Sequence, residues 1–307
     1  FGLIEGRTYG WWTPRADFPG WPITALSPIP VAFALAALCV IAFVLGNRAR
    51  RRAGKPVFVD VSLFGLRSFG FGNLTALLVS LGEFGLLFAI PLYLQNVLGL
   101  SATQSGLILA CLAAGAFVSA GMAAPLSRKL GGRGIVQLGM ALEALGLIAF
   151  AVVIDPGIPA WHVIPALFVY GLGVGFATAQ LTGVILADVP VAASGQASGI
   201  QSTSRQIGSA LGVAILGTVL ATVVYAHAAD GLRAQGVPPA QADRVAAAVE
   251  TSAGTAMPGL IRAEPALAQP LEQAFSDATR QTGIAAALFI LIGLASSFLL
   301  PRRRDAS

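Results

Sequence analysis

Residues 69–95 read FGFGNLTALLVSLGEFGLLFAIPLYLQ, and this stretch decides the fold. It carries a single charge, Glu83, in a run long enough to cross a bilayer, whose hydrocarbon core of about 30 Å takes roughly 20 helical residues. At 100° per residue its polar side chains Asn73, Ser80 and Glu83 form one narrow stripe, too thin to face bulk water. Working outward, similar runs occupy approximately residues 24–46, 104–126, 134–154, 163–187, 203–226 and 282–300. So many apolar segments leave no amphipathic helices to cover them in water. The expected fold class is all-α: a polytopic transmembrane helical bundle with seven spans.

Composition agrees. Of 307 residues, 56% are hydrophobic and 11% charged, against about 25% charged in a soluble domain. The glycines and prolines sit inside apolar runs, which excludes a disordered low-complexity chain. Cys39 and Cys111 lie in apolar runs, so neither a disulfide framework nor a thiolate metal site is expected. His162 and His227 stand at span ends without a second ligand. No Ser/His/Asp set, Cys/His pair or carboxylate cluster suggests catalysis, and no cofactor is expected. The net charge of +5 comes from residues flanking the spans, which points to the lipid bilayer as a partner and away from nucleic acid.

Lys and Arg set the orientation, because cytoplasmic loops collect them. One set of loops holds Arg48, Arg50, Arg51, Arg52, Lys55, Arg67, Arg128, Lys129, Arg133, Arg205 and Arg302 to Arg304; the other holds Arg7, Arg15, Arg233, Arg244, Arg262 and Arg280. The C-terminus is therefore expected in the cytoplasm and residues 227–281 outside. That external piece reads as a connector in which Gln241 to Ala248 and Leu271 to Ala278 form short helices on the membrane surface. The chain opens on Phe1-Gly2-Leu3-Ile4 without an initiator Met, which reads as the end of a helix that begins elsewhere.

Lipid supplies no hydrophobic drive between helices, so small residues four apart mark contact ridges. Cys111, Gly115 and Ser119 form one, Gly171 and Gly175 continued by Thr178 and Thr182 a second, and Gly208 and Gly212 a third. Pro91 and Pro165 fall within spans, where bends are expected. A carboxylate at mid-membrane costs on the order of 3 kcal/mol and needs a role or a partner. Glu83 and Glu143 are in that position. Glu83 reads either as a reversibly protonated or cation-pairing group, or as a permanently protonated carboxyl bonded to a neighbouring helix. Ser202, Arg205, Gln206 and Ser209 share a face, on which Arg205 either anchors a gate or snorkels to the boundary.

Several stretches resemble one family. Pro56 to Phe64 with Arg67-Ser68-Phe69 and Asn73-Leu74, then Ile90 to Gly99 with Ser101 and Gln104-Ser105-Gly106, then Ala197-Ser198-Gly199 with Ser204 to Gly208 and Ala210 to Thr218, are similar to the fourteen-helix drug/proton antiporters of the major facilitator superfamily. Ile4-Glu5-Gly6 with Tyr9-Gly10-Trp11 resembles the external loop between that family's two extra central helices. The resemblance implies that residues 1–23 are that loop, 24–46 the second extra helix, 47–68 a basic cytoplasmic linker, 69–300 the C-terminal six-helix bundle and 301–307 a tail. Ala124 and Arg128 depart from the superfamily's loop pattern, which has Gly and Asp there.

What the resemblance implies functionally is a C-terminal fragment of an exporter, in the bacterial cytoplasmic (inner) membrane, that moves small hydrophobic or cationic compounds against protons by alternating access. Its partners would be substrate, protons and the missing N-terminal half of the same transporter. The expected substrate and proton pathway comprises Glu83, Asn73, Ser80, Glu143, Thr178, Gln180 and Thr182, and the expected gate and loop residues are Arg205, Gln206, Arg128 and Arg133. A non-transporting remnant or interaction protein, and a membrane-embedded enzyme, remain as alternatives.

Overall fold

The computed structural model describes residues 9–14, 18–19, 21–22, 26–54, 57 and 59–301. The expected tail at 302–307, together with Arg7, Arg15, Lys55 and the Ile4-Glu5-Gly6 motif, lies outside the described residues. The chain divides into two compact units, residues 1–62 and 63–307.

In the first unit, α1 (Pro28–Arg52) is started by Ser27, whose hydroxyl accepts from the Ile29 amide at 3.3 Å, and by Pro28 in the first turn, where a proline's missing N–H is harmless. Its apolar side chains are exposed along nearly the whole helix, as they must be if lipid surrounds it. The helix stops at Ala53 and Gly54, the latter at φ +66°.

The second unit is built from α2 (Arg67–Asn96), α3 (Ala102–Val153), α4 (Ile164–Ile185), α5 (Ser194–Ala234), α6 (Pro239–Thr251), α7 (Met257–Ala263) and α8 (Ala268–Ser297). Among the described residues, six helices are long and apolar enough to cross a membrane: α1, α2, α3, and α4, α5 and α8 each together with the 3-10 turn before it. At 1.5 Å per residue the 52 residues of α3 would run about 78 Å, more than twice a bilayer core, so it holds two of the expected spans. Gly131, at φ +73° and ψ 157°, breaks the helix between them. The packing shows that the chain doubles back there. Gly115, on one side of Gly131, lies against Phe168 and Leu172, while Gly146, on the other, lies against Tyr170. The two halves of α3 thus flank the same turns of α4, and the expected loop after the third span is a single tight reversal within helix.

The small-residue ridges are where the backbones meet. A Cβ added at Gly171 would strike Leu112, and one at Gly175 would strike Ala116 and Ser119, which joins the first two expected ridges to each other. Gly208 and Gly212 press on Leu77 and Leu81 of α2. α2 also packs against α8, and α5 against α6 and α8. Tyr93 and Phe150, both buried, meet edge to face at 6.2 Å between α2 and α3.

Two expectations need correction. Pro165 does not bend a span; it occupies the first turn of α4, which it helps start after a 3-10 turn at Ala160–Val163. Residues 271–278 are not a separate surface helix but the opening turns of α8, where Leu271, Ala274, Phe275 and Ala278 are buried. The segment 241–248 does form a short helix, α6, whose Ala242, Ala246 and Val249 are buried at helical spacing. Asn96, at the end of α2, donates to the Ala253 carbonyl at 3.3 Å and ties the α6–α7 turn down. Arg280 of α8 donates to the carbonyls of Ala151 and Ile154 at 3.0 and 2.7 Å, satisfying the open end of α3, and pairs with Asp277 at 2.6 Å.

Candidate functional site

The turn of α2 that carries Glu83 is enclosed on several sides. Gly82 lies against Ala286 and Ile290 of α8, and Gly85 against Gly212 and Leu216 of α5. From α4, the buried Tyr170 donates a long hydrogen bond of 3.5 Å to the Glu83 backbone carbonyl. The stripe read from sequence points inward, since Asn73, Ser80 and Glu83 are all buried. Asn73 spends its amide on its own helix, donating to Phe69 O at 2.8 Å. Its Oδ1, the Ser80 hydroxyl and Glu83 Oε2 have no hydrogen-bond partner.

Arg205 of α5 brings its Nη2 to 4.0 Å from Glu83 Oε2. The Arg205 side chain points toward Glu83 and keeps 29% of its surface accessible. Glu143, on the second half of α3, is 0% exposed and neither carboxyl oxygen has a hydrogen-bond partner. It is fixed from behind by Gly173, whose missing side chain leaves room for the Glu143 backbone and Cγ. One turn along each helix, Gly146 receives Tyr170, so the Tyr170/Gly173 face of α4 covers Glu143 while the Tyr170 hydroxyl reaches Glu83. Glu143 is within electrostatic reach of both Glu83 and Arg205.

The site is therefore two buried carboxyls with one guanidinium, brought together by α2, α3, α4 and α5. Chemically, its carboxyls are groups that can gain or lose a proton. It has no nucleophile–base pair, and among the described residues no group of three or more His, Cys, Asp or Glu is placed to hold a metal ion.

The other expected residues do not join it. Thr178 and Gln206 are exposed and Gln180 is half-buried. Thr182 accepts a 2.7 Å hydrogen bond from Gln201 Nε2, linking α4 to α5. Arg128 is exposed. Arg133, two residues past the Gly131 break, donates to the carbonyls of Leu300 and Phe298 at 2.5 and 3.0 Å and stands over the Phe298 ring at 5.9 Å, so it closes the end of α8. Sequence reasoning missed Tyr170 and Gln201. A tyrosine inside an apolar span three residues before a glycine was the available signal for the first; nothing in the pattern distinguishes Gln201 from its polar neighbours.

Comparison with known proteins bears on what such a bundle is. The family description "Major Facilitator Superfamily" matches residues 16–213. The chain is 28% identical over 222 residues to the "Probable actinorhodin transporter" of Streptomyces coelicolor, covering 71% of this chain and 36% of that protein. It is 27% identical over 281 residues to the "Multidrug efflux pump LfrA" of Mycolicibacterium smegmatis, covering 90% of this chain and 54% of that protein. Over 201 residues it is 32% identical to the "Cephamycin export protein CmcT" of Amycolatopsis lactamdurans, covering 65% of this chain and 40% of that protein. The chain thus spans between about a third and a little over half the length of these relatives. With a family match over well over half its residues and a bundle of long apolar helices, the chain belongs to the Major Facilitator Superfamily.

Proposed function

We propose that this chain is the C-terminal part of an exporter that moves hydrophobic, cationic compounds out of the cell against protons, in the bacterial cytoplasmic membrane with its C-terminus inside. The observation that carries this reading is the charge count of the interior. Glu83 and Glu143 together bring two potential negative charges and Arg205 one positive, so the fully ionised set holds one uncompensated negative charge away from water. Burying such a charge is costly. Either a proton or a monovalent cationic substrate removes the excess, and both cannot do so at once. A site that must be neutralised by one or the other exchanges them, which is antiport. The names of the relatives, all transporters, pumps or export proteins, support the same class.

In this reading Glu83 accepts the proton, held near Arg205, and Glu143 supplies the second carboxyl. Alternating access would come from two helix bundles rocking about this depth.

The test is a vesicle assay on the parent transporter that contains this chain, with a fluorescent monocation such as ethidium and an imposed pH gradient. Gradient-driven accumulation is expected from the parent, at least tenfold less from Glu83→Gln, and none from the 307-residue chain alone. Unchanged coupled transport by Glu83→Gln removes Glu83 from the mechanism. Transport that ignores the gradient refutes proton coupling.

A further inference from the structure

Glu83, Glu143 and Arg205 belong to the unit 63–307, whereas the basic end of α1 belongs to the unit 1–62. Arg48, Arg51 and Arg52 are exposed, and their spacing of three and four residues puts them on one helical face. Lys55 continues that spacing in the sequence, though it lies outside the described residues. Residues 48–60 contain four arginines and one lysine against a single acid, Asp60. Asp60 accepts from the Ser62 hydroxyl and amide at 2.7 and 3.0 Å, which holds its carboxyl below the usual range and ionised, yet one carboxylate leaves a large positive excess.

Depth and rigidity distinguish this end from a loose basic tail. α1 runs without a break from its apolar stretch, which ends near Gly46, through Arg52. At 1.5 Å per residue, Arg48 to Arg52 stand roughly 3–9 Å beyond the hydrocarbon, the depth of lipid headgroups. The chain after the helix is folded back. Asn47, buried, donates its amide to Val59 O at 2.7 Å and accepts from Val59 N at 3.4 Å, a two-way clasp across the Ala53–Gly54 turn. The clasp fixes Val59 beside Asn47, the residue immediately before Arg48.

We propose that this clasped basic face binds the phosphate-bearing headgroup of an anionic lipid, such as phosphatidylglycerol. Charge complementarity selects an anion, and its position at headgroup depth on a lipid-surrounded helix selects a lipid over a soluble phosphate. Arginine forks also suit phosphate oxygens.

The experiment is native mass spectrometry of the purified 307-residue chain in neutral detergent, with phosphatidylglycerol, phosphatidylcholine or inorganic phosphate added. Phosphatidylglycerol is expected to be retained several-fold over phosphatidylcholine. Each arginine is worth about fivefold in affinity near an anionic surface, so the combined Arg48→Gln, Arg51→Gln, Arg52→Gln variant loses at least tenfold. Asn47→Ala keeps every charge and loses a smaller but measurable part, an effect that charge alone would not give. Arg244→Gln with Arg262→Gln retains the full preference. Circular dichroism of each variant separates lost binding from lost fold. Equal retention of the two lipids, an unaffected triple variant, or displacement of the lipid by millimolar phosphate overturns the proposal.

Discussion

Replacing Glu143 by Met tests whether the carboxyl is there for function or for the fold. Met is unbranched and of similar length, so it fits the space beside Gly173 without a new clash. The wild-type carboxyl is fully buried, and both its oxygens lack a partner. Each unsatisfied buried polar group costs about 1–3 kcal/mol, and insertion of an acid at mid-membrane about 3 kcal/mol. Removing it should therefore stabilise the bundle by roughly 2 kcal/mol, after allowing for imperfect packing of the thioether. The assay is thermal unfolding of the purified chain in detergent, followed by circular dichroism, with an expected rise of several degrees in the midpoint. The parent transporter carrying the same change should lose coupled export of a monocation. A fall in stability of about 1 kcal/mol or more would refute the reasoning, because it would mean that Glu143 holds helices together through a hydrogen bond.

Other outcomes follow from the packing. Arg280→Ala removes two bonds to the end of α3 and one ion pair; discounted for partial exposure, the loss should be about 2–3 kcal/mol in the same melt, and no change would dismiss the closure of α3 as incidental. Gly175→Leu drives a side chain into Ala116 and Ser119 and should leave little monodisperse protein on gel filtration, whereas Gly183→Ala, with nothing within 4 Å, should behave as wild type. Gly131→Ala forces an L-residue to φ +73° and should cost about 1–2 kcal/mol; a neutral result would mean that the reversal in α3 can be made another way. Arg133→Ala frees the carbonyls of Phe298 and Leu300, so amide exchange over the last turn of α8 should accelerate while α2 is unaffected.

The spans were legible because a bilayer demands about 20 apolar residues from each, a constraint no tertiary packing can override. What that signal reports is membrane depth, not helix length. Residues 194–202 read as polar and residues 268–281 carry Glu272, Asp277 and Arg280, yet both stretches are continuous helix in α5 and α8, because backbone hydrogen bonding extends past the apolar zone. The same blindness split α3 cleanly in two but turned the opening of α8 into a surface helix. Glu83 and Glu143 stood out as solitary charges in apolar runs. Their convergence did not, since it depends on Tyr170 and Gly173 of α4 meeting Gly146 and Glu143 across a reversal at Gly131. For Arg205 the sequence offered a shared face with Ser202, Gln206 and Ser209 but not its partner, because only the packing of α5 on α2 lets the guanidinium approach Glu83.

Smooth contacts and buried charge are linked at one place. Gly212 presses on Leu81 two residues before Glu83, and Arg205 lies seven residues, about two turns, before Gly212 on nearly the same face of α5. The glycine contact therefore sets how near Arg205 comes to Glu83, and at 4.0 Å the pair has little distance to spare. Gly212→Val should push α5 off α2 and break the pair without touching a charge. If so, its effect on coupled transport should overlap with that of Arg205→Gln, and the double variant of the parent protein should be hardly worse than either single one. Fully additive losses would show that Gly212 and Arg205 act independently, and would detach the helix contact from the charge pair.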